Sequence, residues 1–253
     1  MSTDGSPLPA LGRPRLHLRR TDSTNERARL LAIAGAPSGT LVTAAQQSAG
    51  RGRGGRRWEA PAGSSLLMSL ILRSPPRLLP LLAAVAVCDA AGERARIKWP
   101  NDVVLPVAAS PGLAKLAGIL IEGRPQEDWA VLGVGVNVAV RLEELAPELQ
   151  PGSSRAPGIL PAASLGGSQA DVELVLERVL HSLALHLAEP PEETLWAWGE
   201  RDALRGREIS WAAGKGRAEG IDGLGRLVVE LADGGRTALG AGEVHIESIG
   251  ERA

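Results

Sequence analysis

Apolar positions recur along this chain with two periods. Over residues 171–188, Val172, Leu176, Val179, Leu180, Leu183 and Leu187 fall on one side of a 3.6-residue repeat, which predicts an amphipathic helix. Residues 22–34 predict another: Leu30, Leu31 and Ile33 supply the apolar side, Ser23 and Glu26 have capping-box spacing, and Gly35 is a stop. A third, apolar on all sides, runs over 78–91 and ends at Gly92, and a further helical piece around 192–204 carries Trp196 and Trp198. Short apolar runs, several bounded by Gly or Pro, predict strands over 39–45, 64–72, 95–99, 115–122 and 129–138. Residues 1–13 read as a frayed terminus and 148–169, rich in Pro, Gly and Ser, as a loop. From Gly206 the texture changes to short β runs. Turn signals at Asp222-Gly223 and Asp233-Gly234 recur about as often as in a small barrel. The expected fold is therefore α+β: a mixed sheet flanked by helices over 1–205 and a small β-barrel over 206–253, divided near Arg205.

Composition narrows the class. The net charge of −1 gives no whole-molecule field toward nucleic acid or membrane, so any anion binding must come from local placement. No apolar stretch reaches the length of a membrane span and no signal peptide is visible, so the cytoplasm is the expected compartment. The single cysteine, Cys88, excludes an internal disulfide. In the run LLAAVAVCDAAG it reads as core packing rather than as a nucleophile. Phe and Tyr are absent, which leaves Leu, Val, Ile, Ala and six Trp to fill the core.

The chemistry concentrates in QSAGRGRGGRRW at residues 47–58, which sets four arginines and four glycines in one loop after a predicted strand. Glycines let backbone N–H groups approach a ligand, and arginine forks match carboxylate and phosphate oxygens. A solvated basic loop and an RNA-binding tract are the competing readings. Pro100 makes Trp99 extended, and Asn101-Asp102 reads as a turn. Lys115, at the head of KLAGILIE, also fits a snorkelling strand-end lysine. Gly118, Gly133 and Gly135 mark close backbone approach within strands. The last two are not a dinucleotide fingerprint, because no helix follows.

Taken in order, STN at 23–25, the arginine loop, KWPND at 98–102, KLAGILIE at 115–122 and GVGVN at 133–137 resemble the biotin protein ligases. The likeness runs over about 15–140 and continues through 207–247, which looks like that family's SH3-like C-terminal unit. It implies a catalytic domain related to class II aminoacyl-tRNA synthetases. It also implies an ATP-dependent reaction with Mg²⁺, in which biotin becomes biotinyl-5′-AMP and passes to a lysine of a biotin carboxyl carrier domain of acetyl-CoA carboxylase or a related carboxylase.

By the same resemblance Ser23, Thr24 and Asn25 meet the ureido group and Gln47 the biotin ring. Gly50, Arg51, Gly52 and Arg53 enclose biotin and the phosphate, and Trp58 covers the pocket. Lys98, Asn101 and Asp102 fall on the nucleotide side, with Asp102 the candidate for Mg²⁺ or ribose. Lys115 takes the biotin carboxylate and then the α-phosphate, and Gly118, Gly133, Gly135 and Asn137 belong to the pocket. Lys115, Arg51 and Arg53 are the expected catalytic cations.

Two departures stand out: a loop at 106–114 longer than is common, and Glu247 where some relatives carry a basic residue. The barrel is therefore expected to orient the carrier more than to hold ATP. With too few residues ahead of the motifs for a winged helix-turn-helix, the chain is expected to be the monofunctional type with no DNA partner; a homodimer stays open. The rivals are a lipoate ligase or octanoyl transferase of the same fold, and a nucleic-acid-binding module.

Overall fold

The strict alternation of Trp129–Asn137 organises the first sheet. In the computed structural model, which describes residues 10–108, 112–124, 128–150 and 159–247, Ala130, Leu132, Val134 and Val136 face the main hydrophobic core. Trp129 and Val131 face the opposite side and join a second cluster, and Gly133 and Gly135 continue that second face. One strand thus presents a packed face on one side and, on the other, a face whose side chains vanish halfway along.

That strand is β7 of a seven-stranded sheet. Before it come β1 (Arg15–Leu18), β2 (Leu41–Ala44), β3 (Ser65–Arg73), β4 (Arg96–Lys98), β5 (Asp102–Pro106) and β6 (Leu113–Arg124). The spatial order is β1-β2-β3-β7-β6-β5-β4, with β1 parallel to β2 and every other pair antiparallel. Helix α1 (Thr24–Ile33) seals the outer part of one face, where Ala28 and Ala32 pack on Val42, Ile71 and Val131. On the other face α2 (Leu79–Ala91) is sandwiched between the sheet and helices α3 (Asp171–Ala188) and α4 (Pro191–Gly199). Enclosure on all sides is why α2 is apolar all round. It also accounts for Cys88, whose thiol burial pushes up to about 12, a core residue and not a nucleophile.

A second, five-stranded antiparallel sheet holds β8 (Glu208–Trp211), β9 (Gly214–Ile221), β10 (Leu227–Glu230), β11 (Arg236–Leu239) and β12 (His245–Ile246), in the order β11-β10-β9-β8-β12. Ile209, Leu227, Val229 and Val244 belong to the same hydrophobic cluster as the first sheet, so the two sheets share one core. Among the described residues no helix is long and apolar enough to cross a membrane.

Several local expectations are corrected. Ser23 occupies the N-cap position of α1, but its hydroxyl makes no capping hydrogen bond, and Gln47 Oε1 takes the Thr24 N–H instead. The turn comprises Trp99–Asn101, across a cis Trp99–Pro100 bond, and Asp102 opens β5 rather than sitting in the turn. The extension at 106–114 is the end of a β5–β6 hairpin, with Val107 N–H donating to Gly112 O at 3.0 Å; residues 109–111 lie outside the described residues. Helix α4 stops at Gly199, short of 204, and β1 was not foreseen.

Candidate active site

The vanishing side chains of β7 make a floor. Gly118 of β6 is the register partner of Gly135, and together they leave bare backbone. Trp58, at the end of the arginine loop, lies flat over them. A Cβ at Gly135 would stand 2.7 Å from Trp58 Cε2, and one at Gly118 would stand 3.1 Å from Cζ3, so only glycine admits the ring this close. The indole N–H is buried without a partner. Between floor, loop and the N-terminus of α1 lies a cavity of about 320 Å³, a size suited to a small organic molecule.

One end of the cavity is polar and fully knit. Thr24 donates to Gln47 Oε1 through its backbone N–H at 2.7 Å and its hydroxyl at 3.1 Å. Ser69, on the site face of β3, places its hydroxyl 2.8 Å from Thr24 Oγ1 and 2.6 Å from Asn25 Oδ1. Asn25 Nδ2 donates to Glu122 Oε2 at 2.8 Å. Asn25 lies over Gly133, where a Cβ would fall 2.1 Å from its Oδ1. Ser23, Thr24 and Asn25 are all buried, and a buried network this well satisfied fixes the direction of each donor and acceptor.

The other end is charged. Lys115 is held by its backbone, which donates to Pro161 O at 2.6 Å and accepts from Ala163 N–H at 2.7 Å. Its Nζ stands 2.8 Å from Asp102 Oδ1 and 5.7 Å from the centre of the Trp58 ring. The approach to Asp102 is close enough for an ion pair but not aligned as a hydrogen bond, since Oδ1 otherwise has none. Asn101 donates to Ile119 O at 2.7 Å and accepts from Arg53 Nη1 at 3.2 Å. Arg51 bridges Glu26 at 3.2 Å and Glu122 at 3.3 Å. Asn137 lines the cavity and donates to Ala163 O at 2.9 Å, tying β7 to the segment that pairs with the Lys115 backbone.

The structure thus gathers Ser23, Thr24, Asn25, Gln47, Arg51, Gly52, Arg53, Trp58, Asn101, Asp102, Lys115, Gly118, Gly133, Gly135 and Asn137 around one cavity. Gly50 lines the far side of the loop, where a second cavity of about 840 Å³ opens toward α2 and the second sheet. Lys98 stands apart. It is buried beneath the second sheet, donates to Val244 O at 2.7 Å and lines neither cavity; burial pushes its ammonium below the usual lysine range, with Asp102 pulling the other way. Among the described residues no three metal-ligating side chains cluster.

Ser69 and Glu122 were not foreseen. The signal was present in both strands, as a polar residue on the face opposite the core.

The arrangement has counterparts. Residues 17–138 match the model of the biotin/lipoate A/B protein ligase family. The biotin–[acetyl-CoA-carboxylase] ligase of Paracoccus denitrificans is 35% identical over 90% of this chain and 98% of its own. The chain belongs to this ligase family. Bifunctional ligase/repressor BirA of Bacillus subtilis is likewise 35% identical, over 84% of this chain and 68% of the relative. The biotin protein ligase of Aquifex aeolicus in complex with biotin and ATP has the same fold at 24% identity, with a TM-score of 0.70 over 93% of this chain and 99% of that one. As that coverage includes the second sheet, the family fold extends through the small SH3-like barrel.

Proposed function

We infer that this chain is an ATP-dependent, AMP-forming biotin ligase that modifies a biotin carboxyl carrier domain. The observation that carries the reading is the glycine-floored slot, with a fixed hydrogen-bonding cluster at one end and Lys115 at the other. A ureido ring offers two N–H donors and one carbonyl acceptor, which suits the Ser23–Asn25, Gln47 and Ser69 cluster. The apolar bicycle suits the space between Trp58 and the floor, and the valerate carboxylate then extends toward Lys115.

In the first step a biotin carboxylate oxygen attacks the α-phosphorus of ATP, and the bond to the bridging oxygen breaks with release of pyrophosphate. Negative charge grows on the α-phosphoryl oxygens. Lys115, Arg51 and Arg53 stabilise it, and a preorganised cation of this kind is worth about 10²–10³ in rate. Asp102 would hold a Mg²⁺ carried on the phosphates, and that ion would supply further charge neutralisation. In the second step a carrier lysine amine attacks the acyl carbon and AMP leaves. Lys98 anchors the barrel rather than the nucleotide in this scheme. Residues 1–205 form the catalytic unit and 206–253 the barrel unit, and the cytoplasm is the compartment in which the carrier is met.

The test is ATP-dependent transfer of labelled biotin to a carrier domain with lipoate as competitor. Saturable labelling that lipoate does not suppress is expected. Lipoate transfer in its place would move the chain to the lipoate branch of the family.

A further inference from the structure

Two consecutive residues beside the second sheet grip the arginine loop, and the next one holds Lys98 of β4. Gly242 O accepts from Arg53 Nη2 at 3.3 Å, Glu243 Oε1 lies 2.5 Å from Arg56 Nη2, and Val244 O accepts from Lys98 Nζ at 2.7 Å. Glu243 also sits beside the loop's tight turn at Gly54, whose φ is +63° and whose added Cβ would lie 3.6 Å from Glu243 Oε1. Residues 242–244 belong to the connection between β11 and β12 and are 190 or so positions from the loop, so nothing in the local chain brings them together. Lys98 pins the base of this connection inside the core, while Arg53 and Arg56 hang from its rim.

We propose that the 242–244 connection is a catch for the arginine loop, and that Glu243 and Arg56 are positioning residues that set how long the acyl-adenylate is retained. The proposal rests on the biotin-ligase reading for its ligand but not for its geometry. Closing a loop over a hydrolysable anhydride excludes water, and the dwell time of the closed state depends on contacts at its edge. Arg56 and Glu243 are each nearly half exposed, so their pair contributes little to global stability. Its effect falls on the opening of the loop instead.

The experiment uses the full chain and two readouts. In ligand-free protein, trypsin cleavage at the loop arginines should be about threefold faster in Glu243→Gln than in wild type, at unchanged melting temperature. In protein loaded with biotinyl-5′-AMP, release should also be about threefold faster, equivalent to ~0.7 kcal/mol at 1.4 kcal/mol per decade, while the Kd for biotin stays within twofold. Arg56→Gln should release equally fast, the double variant no faster than either single, and the swap Arg56→Glu with Glu243→Arg should restore slow release. Wild-type cleavage in Glu243→Gln overturns the catch. Faster cleavage with unchanged release overturns the positioning role, as does a swap that fails to restore it or a double variant that loses the product of the two singles. Wild-type protein that makes no adenylate sinks the biotin reading alone, and the cleavage comparison still judges the catch.

Discussion

At Gly135 the choice of residue decides whether the slot has a floor. The Trp58 ring occupies the space a methyl would need, so Gly135→Ala forces ring or strand to shift at a cost of about 1–3 kcal/mol. Biotin affinity measured by calorimetry should fall tenfold or more in this variant. An affinity within twofold of wild type would mean that the bicycle does not lie on this floor. Lys115 gives the complementary case, because its backbone is held by the 161–163 segment while its part-exposed side chain makes a single ion pair, with Asp102. Lys115→Ala should lose about 10²-fold or more in pyrophosphate release with little change in melting temperature. Undiminished release would pass the catalytic role to Arg51 or Arg53, since Lys98 lies away from the cavity. Residue types were the most legible part of the site: lysine, arginines and strand glycines each pointed to their chemistry. Partners were not legible. That Asp102 faces Lys115 and Glu122 faces Asn25 depends on strand register, which a single sequence does not display.

Elements were legible where one period dominated. Helix α3 coincides with its predicted span because its apolar stripe is continuous over five turns. Strand β1 escaped because it is only four residues long and mostly exposed, and β5 because Asn101-Asp102 is an equally good turn signal. Between α2 and α3 a polar joint interrupts the apolar packing. Asp89 accepts from Ser182 at 2.7 Å and from Arg201 at 2.5 Å, and His186 Nε2 lies 2.8 Å away. The hydrogen bond with Asp89, aided by Glu189 and opposed by burial, raises the His186 pKa above its ordinary 6.5. A raised folded-state pKa adds stability that is complete below 6.5 and disappears as pH climbs through the folded value. Each unit of elevation is worth ~1.4 kcal/mol. Urea unfolding should therefore show stability falling as pH rises from 6 through the range above 6.5, and His186→Gln should flatten that slope. An unchanged slope in the variant would show that the imidazole is not the titrating group.

At the scale of the whole molecule, the five β runs of the C-terminal sheet and their turns were plain in the sequence, but their attachment was not. The barrel, expected chiefly to orient the carrier, is also tied to the first sheet and the arginine loop by three contacts. Lys98 is satisfied by Val244, Trp99 Nε1 donates to Gly225 O at 3.2 Å, and Arg53 reaches Gly242. Deleting 206–253 would uncover part of a core that both sheets share. The truncated chain is expected to unfold at least 10 °C lower and to lose adenylate formation along with transfer, judged by calorimetry and pyrophosphate release. A stable truncation that still makes adenylate at the full rate would return the barrel to carrier docking alone.

The indole over the glycine floor has an optical consequence. With no tyrosine in the chain, ultraviolet emission comes from six tryptophans. Trp99, Trp129 and Trp198 are buried in the protein interior and Trp196 lies open to solvent. Trp58 is the one among the six that borders the slot, within reach of a lysine ammonium. The molecule therefore carries its own label at the place where a ligand must enter. Any occupant that displaces or stacks on that ring will change the colour and intensity of its light, and the filling of the slot can be timed without attaching a dye.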